Sequence, residues 1–459
     1  MSVNSLSVSG YRGFATKQKV TFAKPDGKNE GSGLTFLLGA NNSGKSTFLE
    51  SLKFFGLYSG PELNESQRNE KTSRKVEIEL NYLDNLTATI KTVSQGGSST
   101  EMSWPDDSSR PKIYCLPSRR FFNHEFDSGR ISREEMMHSL AKKSRNIEAL
   151  TYFPISLFNI TNNPEELNKY NEFLNSILGY ELKWHFNKEN RNFIQYEIDT
   201  VSHRSEGVGD GIINLMIIAK AICDASPTDT IIIDEPEVSL HPSAQKRLFA
   251  ALKKLSKTTQ IVLATHSPYF IDFEAIEHGA QIARFYKEGD EIRIAEISPE
   301  SHKIIKSFLN NASNPHVLGT NAKEILFVED CVLLVEGQDD VICFEKASKE
   351  LGIPINGYTF GWGVGGETNM RYFVELLKAL GYKKVCGILD KNAKDFNYLK
   401  SEYPEYAFLQ ISTNDIRDKE ARKEKNEITG LFTKGYELKP ESKQEIQNTI
   451  YEINKRFLT

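Results

Sequence analysis

The feature that most constrains this chain is GANNSGKS, Gly39 to Ser46. It fits GxxxxGK[ST], with the apolar run LTFLL before it and a helix expected from Lys45 to about Leu57 after it. A glycine-rich loop between a strand and a helix N-terminus turns backbone N–H groups toward phosphate oxygens, and the helix dipole favours the same negative charge. The candidate nucleotide contacts are Gly39, Asn41, Asn42, Ser43, Gly44, Lys45, Ser46 and Thr47. Lys45 is expected to reach the β- and γ-phosphates of ATP, and Ser46 to bind Mg²⁺.

A phosphate loop needs a partner strand, and IIIDEPEVSLHP supplies one. Its buried run ends in Asp234, a candidate ligand for Mg²⁺, and Glu235, placed to orient the attacking water. The next apolar run, QIVLATHSP, puts His266 at its end, within reach of a γ-phosphate. LSVSGYRGF, QKVTFA and KIYCLPSRRFF read as further strands, and GIINLMIIAKAIC as a helix. VSQGGSSTEMSWPDDSSRP is rich in turn residues and reads as a surface loop. Alternating strands and helices favour an α/β fold with a parallel sheet. The helical rhythm over about residues 130–180 reads as an insertion, a candidate dimerisation element.

The pattern changes at NASNPHVLGTNAKE, so the expected boundary separates 1–322 from 323–459. Beyond it a smaller α/β unit begins: a strand to Glu336, a helix from Asp339, the turn GWGVGGETN, a helix, and the strand KKVCGILD. Glu336 and Asp340 flank one strand–helix junction, and Asp390 ends the next strand. In a parallel sheet such ends share an edge, the usual place for ligands. Carboxylate oxygens suit Mg²⁺ or Mn²⁺, and metal-binding acids can activate water in phosphodiester cleavage. Acidic strand ends are also common as plain solvated loop residues, and that reading stays open for each piece taken singly.

Composition narrows the field. The chain has 459 residues, too many for one ordinary core, and is 39% hydrophobic and 26% charged, as soluble globular proteins are. Five scattered cysteines without CxxC spacing argue against a disulfide framework or zinc knuckle and point to the cytoplasm. The chain carries no apolar stretch of spanning length, so no membrane partner is expected. A formal net charge of −5 gives no global pull toward nucleic acid, so DNA binding would need local basic pairs. Arg119–Arg120, Lys246–Arg247 and Lys383–Lys384 are the candidates, each read more readily as an ordinary exposed face than as a DNA contact.

Together, GANNSGKS, IIIDEP, ATHSP and the opening YRGF resemble the ABC/SMC-like branch of P-loop ATPases. That resemblance implies head-to-head dimers in which a serine-glycine signature meets ATP on the other subunit. RSEGVGDGIINL lies where the signature belongs, with Ser205 and Gly207 as its loose match; Glu206 and the residues after it depart from the signature, and a plain glycine-rich loop is the competing reading. LLVEGQDDVICFEKA, the stretch FGWGVGG to GILD, and NDIRDKE resemble the Toprim domain of the overcoming-lysogenization-defect (OLD) nucleases. The resemblance covers essentially the whole chain: an ABC/SMC-like P-loop ATPase domain with a helical insertion, then a Rossmann-like Toprim domain. It implies an ATP-hydrolysing, divalent-metal-dependent DNA endonuclease in antiviral defence, as in Gabija and retron-associated effectors, with a retron reverse transcriptase and its small DNA as a candidate partner. In it Glu336 and Asp340 match the first acidic motif, and Asp390 the first residue of DxD. The second DxD position is Asn392, an oxygen ligand without charge; Asp395, or Asp415 and Asp418, are candidates to complete the metal set, unless the site works with one metal or poorly. Lys419 is the candidate to steady a phosphate or leaving oxygen, although NDIRDKEARKEK reads equally as a solvated charged turn and helix. An ATP-dependent DNA-binding scaffold with a degenerate Toprim domain is the competing expectation.

Overall fold

The structure is a computed structural model. It describes residues 2–83, 86–93, 97–106, 110–120, 125–126, 129–142, 152–188, 192–198, 201–204, 207–309, 323–328, 330–421 and 427–458. The chain divides into two compact units, Met1–Ile294 and Ala295–Thr459.

The first unit is built around a six-stranded sheet. Its order is Glu291–Glu296, Gln281–Glu288, Leu34–Leu38, Gln260–Ala264, Thr230–Asp234 and Ile113–Leu116. From Gln281–Glu288 to Ile113–Leu116 every neighbour is parallel. The three central strands are buried at every residue, which explains their unbroken apolar runs. Register pairs Asp234 with Ala264 and Ala264 with Leu37, so the ends carrying Gly39, Asp234 and His266 share one edge. The helix Lys45–Lys53 leaves that edge and tightens into a 3-10 turn at Phe54–Gly56, near the expected end.

A five-stranded antiparallel sheet lies against the same core, in the order Gln18–Thr21, Val3–Ser9, Glu77–Tyr82, Leu86–Thr92, Thr100–Ser103. Leu6, Val8, Ile78 and Leu80 share a buried cluster with Phe48 of the loop helix and Val262 of the parallel sheet. Its last strand corrects the expectation of a loop: Thr100–Ser103 pairs with Thr89–Thr92, so part of that turn-rich stretch finds its hydrogen bonds in a ladder. The strand expected over KIYCLPSRRFF stops at Leu116, ahead of Pro117, which has no N–H to donate.

The insertion contains the helices Arg133–Lys142, Phe153–Ile160 and Pro164–Leu178. The last begins at the side-chain cap of Asn163 and ends at Gly179 in the left-handed region (φ 84°), as a C-terminal glycine does. An antiparallel sheet follows, with Asn192–Ile198 between its neighbours. Tyr170 ties the insertion to the helix Asp210–Asp224 by donating its hydroxyl to the Met216 carbonyl at 3.1 Å.

The second unit is a four-stranded parallel sheet in the order Tyr358–Thr359, Val332–Val335, Val385–Leu389, Ala407–Gln410. Leu333, Val335, Cys386 and Ile388 share a buried cluster with Phe344 of the helix Gln338–Leu351 and with Ile446 and Ile450 of the helix Lys443–Leu458. The helix Glu367–Ala379 buries Met370, Phe373 and Leu377, with the Met370 sulfur over Gly387. This unit begins at Ala295, earlier than the expected boundary after residue 322. The helix Pro299–Leu309 packs on Glu367–Ala379, and the Ser301 hydroxyl donates to Glu375 Oε1 at 2.6 Å. No helix among the described residues is long and apolar enough to cross a membrane.

Candidate functional site

In the first unit the phosphate loop is shaped by its glycines. Gly44, which precedes the helix, has φ 102°, and a Cβ there would run into Ile292. Lys45 is 5% exposed, and its Nζ donates to the carbonyls of Gly39 (2.8 Å) and Ala40 (3.0 Å). Burial lowers its pKa to about 8 despite the carboxylates of Asp234, Glu235 and Glu237. The Ser46 hydroxyl approaches Asp234 Oδ1 at 3.4 Å. Ser43 Oγ is buried with no hydrogen-bond partner, while Asn41 and Asn42 are exposed and Thr47 is buried. A cation, a hydroxyl beside a carboxylate, and an orphaned hydroxyl fit a nucleotide triphosphate with a divalent cation.

Opposite the loop, Glu235 holds a left-handed backbone (φ 51°), a strained conformation for a residue with a side chain. Arg120 holds it there. Arg120 is 8% exposed and donates to the carbonyls of Asp234 (2.7 Å), Glu235 (2.6 Å) and Pro117 (2.7 Å), and to the Asn214 side chain. Burial lowers its pKa to about 10, so it remains a cation. Glu237 accepts from the His266 backbone N–H (2.6 Å) and the Thr265 hydroxyl (2.8 Å), and burial raises its pKa. His266 is pushed down to about 4 by burial and then by the charge of Lys45, so its ring is neutral at physiological pH. Gly207 is exposed, and Ser205 lies outside the described residues.

Arg120 and Glu237 escaped the sequence reading. Arg120 was visible only as half of a basic pair, and Glu237 only as the third acid of DEPE. One member of each basic pair is tied to backbone carbonyls, while Arg119, Lys246 and Lys383 are exposed. Arg247 donates to the carbonyls of Ile177 and Leu178 at the end of the helix Pro164–Leu178, each at 2.6 Å, and Lys384 donates to the Phe457 carbonyl at 2.7 Å.

In the second unit, parallel pairing of Val335 with Ile388 brings Glu336 and Asp390 to one edge. The Asp390 backbone N–H donates to Glu336 Oε1 at 2.8 Å. Asp340, in the first turn of its helix and 9% exposed, accepts from the Gly337 N–H at 2.9 Å. Burial raises all three carboxyls, aided by Glu367 and Asp415 at Glu336, by Glu336 at Asp340, which reaches about 7, and by Asp340 and Glu336 at Asp390, which reaches about 8. Asp415 adds to the repulsion on each and pairs with Lys419. The Lys419 pKa is raised: burial opposes its charge, but Asp415 and then Asp339 outweigh that. Asp339, the acid next to Asp340 in VEGQDD, is held by Arg417 (2.8 Å) and the Tyr436 hydroxyl (2.8 Å).

Asp418 has partners of its own. Asp418 is engaged by Lys439 (2.8 Å) and the Gly430 N–H (2.9 Å), and it is absent from the charges that raise Glu336, Asp340 and Asp390. Asn392 is exposed. Among the described residues, no three His, Cys, Asp or Glu side chains are grouped, as they stand, so that they could hold a metal ion. The donor chemistry nevertheless fits a hard divalent cation, since several half-buried carboxylates oppose one another and Lys419 is the cation set among them.

A family model described as an AAA domain, putative AbiEii toxin, Type IV TA system, matches residues 34–272, more than half of the chain. A second, described as an overcoming lysogenization defect protein-like TOPRIM domain, matches residues 327–391. The chain is 30% identical over 158 residues to the OLD nuclease of Thermus scotoductus, covering 33% of this chain and 29% of that one. It is 28% identical over 175 residues to the Old nuclease of Escherichia phage P2, covering 36% of this chain and 28% of that one. A probable metal transport system ATP-binding protein of Chlamydia pneumoniae is 30% identical over 94 residues, 19% of this chain and 38% of that one. The chain thus aligns with well under half the length of each of these relatives. The solved SMC head domain from Thermotoga maritima is 15% identical with a TM-score of 0.38, covering 65% of this chain and all of that one. The P-loop sheet and the Toprim sheet, each matched by its own family model, place this chain in the AAA family of the first match and make it an OLD-family ATPase–Toprim protein.

Proposed function

We propose that this protein is an ATP-dependent nuclease that hydrolyses phosphodiester bonds in DNA at the Toprim edge and serves as an anti-phage effector. The observation that carries the reading is the meeting of Glu336, Asp340 and Asp390 at one edge, each carboxyl raised by burial and by its neighbours. Such crowding is a cost that a bound cation would remove. Glu336, Asp340 and Asp390 would hold a divalent ion, Mg²⁺ or Mn²⁺, with Asp415 beside them. When bound, that ion supplies an activated water and charge stabilisation at the leaving oxygen. Lys419, anchored by Asp415 and Asp339, offers a cation to a phosphate oxygen.

In the first unit, Lys45, now on the Gly39 and Ala40 carbonyls, would meet the β- and γ-phosphates, and Ser46 and Asp234 would hold the nucleotide's Mg²⁺. Glu235, presented by its left-handed backbone, orients the attacking water, while neutral His266 can donate to the γ-phosphate without adding charge. Closure of two such heads over ATP, as a homodimer, would gate the Toprim site.

The test is incubation of supercoiled plasmid with Mg²⁺ or Mn²⁺, with and without ATP, comparing wild type with Glu336→Ala. Nicking or linearisation that disappears in the variant supports the reading; plasmid left intact by wild type in every condition sinks it. The exposed, uncharged Asn392 favours a second reading, an ATP-dependent DNA-binding scaffold with a weak Toprim site. Under that reading plasmid binding persists without cleavage.

A further inference from the structure

The Toprim edge carries a large exposed aromatic that no part of the cleavage chemistry uses. Trp362, in the turn GWGVGG, is 44% exposed. Its turn is rigid on both sides. Before it, Phe360 is fully buried, with its ring 4.8 Å from that of Phe373. After it, Gly363 lies so close to the strand end that a Cβ would come within 2.6 Å of the Gly337 backbone. The N–H groups of Gly365 and Gly366 both donate to the Glu336 carbonyl, each at 2.9 Å, and that of Val364 to Val335 at 2.9 Å. The segment bearing Trp362 is therefore fastened to the residue that bears the first acidic ligand.

Exposed cations sit on the same edge. Lys391 is next to Asp390 and Lys394 is four residues beyond it, and the Lys394 N–H donates to Glu367 Oε2 at 2.5 Å, joining that loop to the end of the tryptophan turn. Arg371, one helical turn beyond Glu367, is exposed as well. An indole on a fixed turn whose end is joined to a lysine-bearing loop, on a segment fastened to an acidic strand end, matches what single-stranded nucleic acid requires. Bases stack on the ring, and cations track the backbone. A paired duplex keeps its base faces covered and would leave the indole in water.

We infer that Trp362 is a stacking platform for an unpaired nucleotide, so that the Toprim edge takes single-stranded or locally opened DNA. This rests on the nuclease reading above and specifies its substrate. Trp362 positions the strand, and Lys391 and Lys394 hold the adjacent phosphates.

The test uses the full chain in EDTA, where no metal supports cleavage, and a fluorescein-labelled oligothymidylate of about a dozen nucleotides alongside a duplex of similar length. Trp362→Leu should weaken single-strand binding by about 10- to 100-fold, the range expected from base–aromatic stacking, and leave duplex binding unchanged. Trp362→Phe should stay within a few-fold of wild type. Binding of Trp362→Leu within twofold of wild type overturns the inference, as does an equal loss for the duplex. An unchanged melting temperature in both variants shows that a loss reflects lost contact and not unfolding. Plasmid cleavage by wild type and Glu336→Ala, run in parallel, keeps the two proposals apart. Cleavage that depends on Glu336 with unchanged Trp362→Leu binding removes the stacking role and leaves the nuclease standing.

Discussion

Replacing Asp340 with asparagine removes one buried charge from the acidic edge while keeping its shape. The amide oxygen can still accept the Gly337 N–H that Asp340 Oδ2 accepts at 2.9 Å, so the start of the helix is preserved. Burial, then Glu336, Asp415 and Asp339, raise the Asp340 carboxyl from 3.8 to about 7. A folded pKa above the unfolded one gives stability that is complete below pH 4 and is lost as pH rises through 7. About three pKa units correspond to about 4 kcal/mol at most. Because Glu336 and Asp390 share the repulsion and its protons, about 2 kcal/mol is the expected gain from removing this charge alone. For a unit of this size that is about 4–8 °C in melting temperature. Calorimetry of the full chain in EDTA at pH 8.5 should show Asp340→Asn melting higher than wild type by that amount, in the transition that responds to Mg²⁺. At pH 5 the advantage should shrink to about a third. Millimolar Mg²⁺ should raise wild type more than the variant, because only wild type keeps the full ligand set. Equal melting at pH 8.5 without metal, or a variant that melts lower there, would refute the crowding on which the metal site rests.

Three further substitutions separate the parts of the first unit. Lys45→Ala should weaken binding of a fluorescent ATP analogue by at least about 100-fold, the loss of a buried cation from a phosphate site; unchanged binding would remove the phosphate-loop assignment. Glu235→Gln should bind ATP as wild type does and turn it over about 100-fold more slowly, in the range of general-base effects, measured as phosphate release. Arg120→Ala leaves three carbonyls and Asn214 without their donor, and should cost about 3 kcal/mol in stability along with ATP turnover. Equal melting temperatures for that variant and wild type would show that the strand end stands without it.

The two acidic strand ends and the phosphate loop were legible in the sequence because their chemistry is local. A glycine loop between a strand and a helix sets its own backbone from neighbouring residues, and Glu336 and Asp340 lie four residues apart across one strand–helix junction. The antiparallel strand Thr100–Ser103 was not legible, since its turn-rich neighbourhood gave no sign of the ladder it would join.

Tertiary structure alone decided which charges meet. Asp390 faces Glu336 because Ile388 pairs with Val335 in the sheet. Arg120 braces Asp234 and Glu235 from 114 and 115 residues away. Asp339 and Asp418, alike in composition, went to different partners: one to Arg417 and Tyr436 near the acidic edge, the other to Lys439 and Gly430 away from it. A side chain's type and its immediate neighbours determine what chemistry it can perform. Whether it performs that chemistry depends on which distant groups the folded sheet sets against it, because burial and a few ångströms decide whether a carboxylate is a ligand or a structural tie.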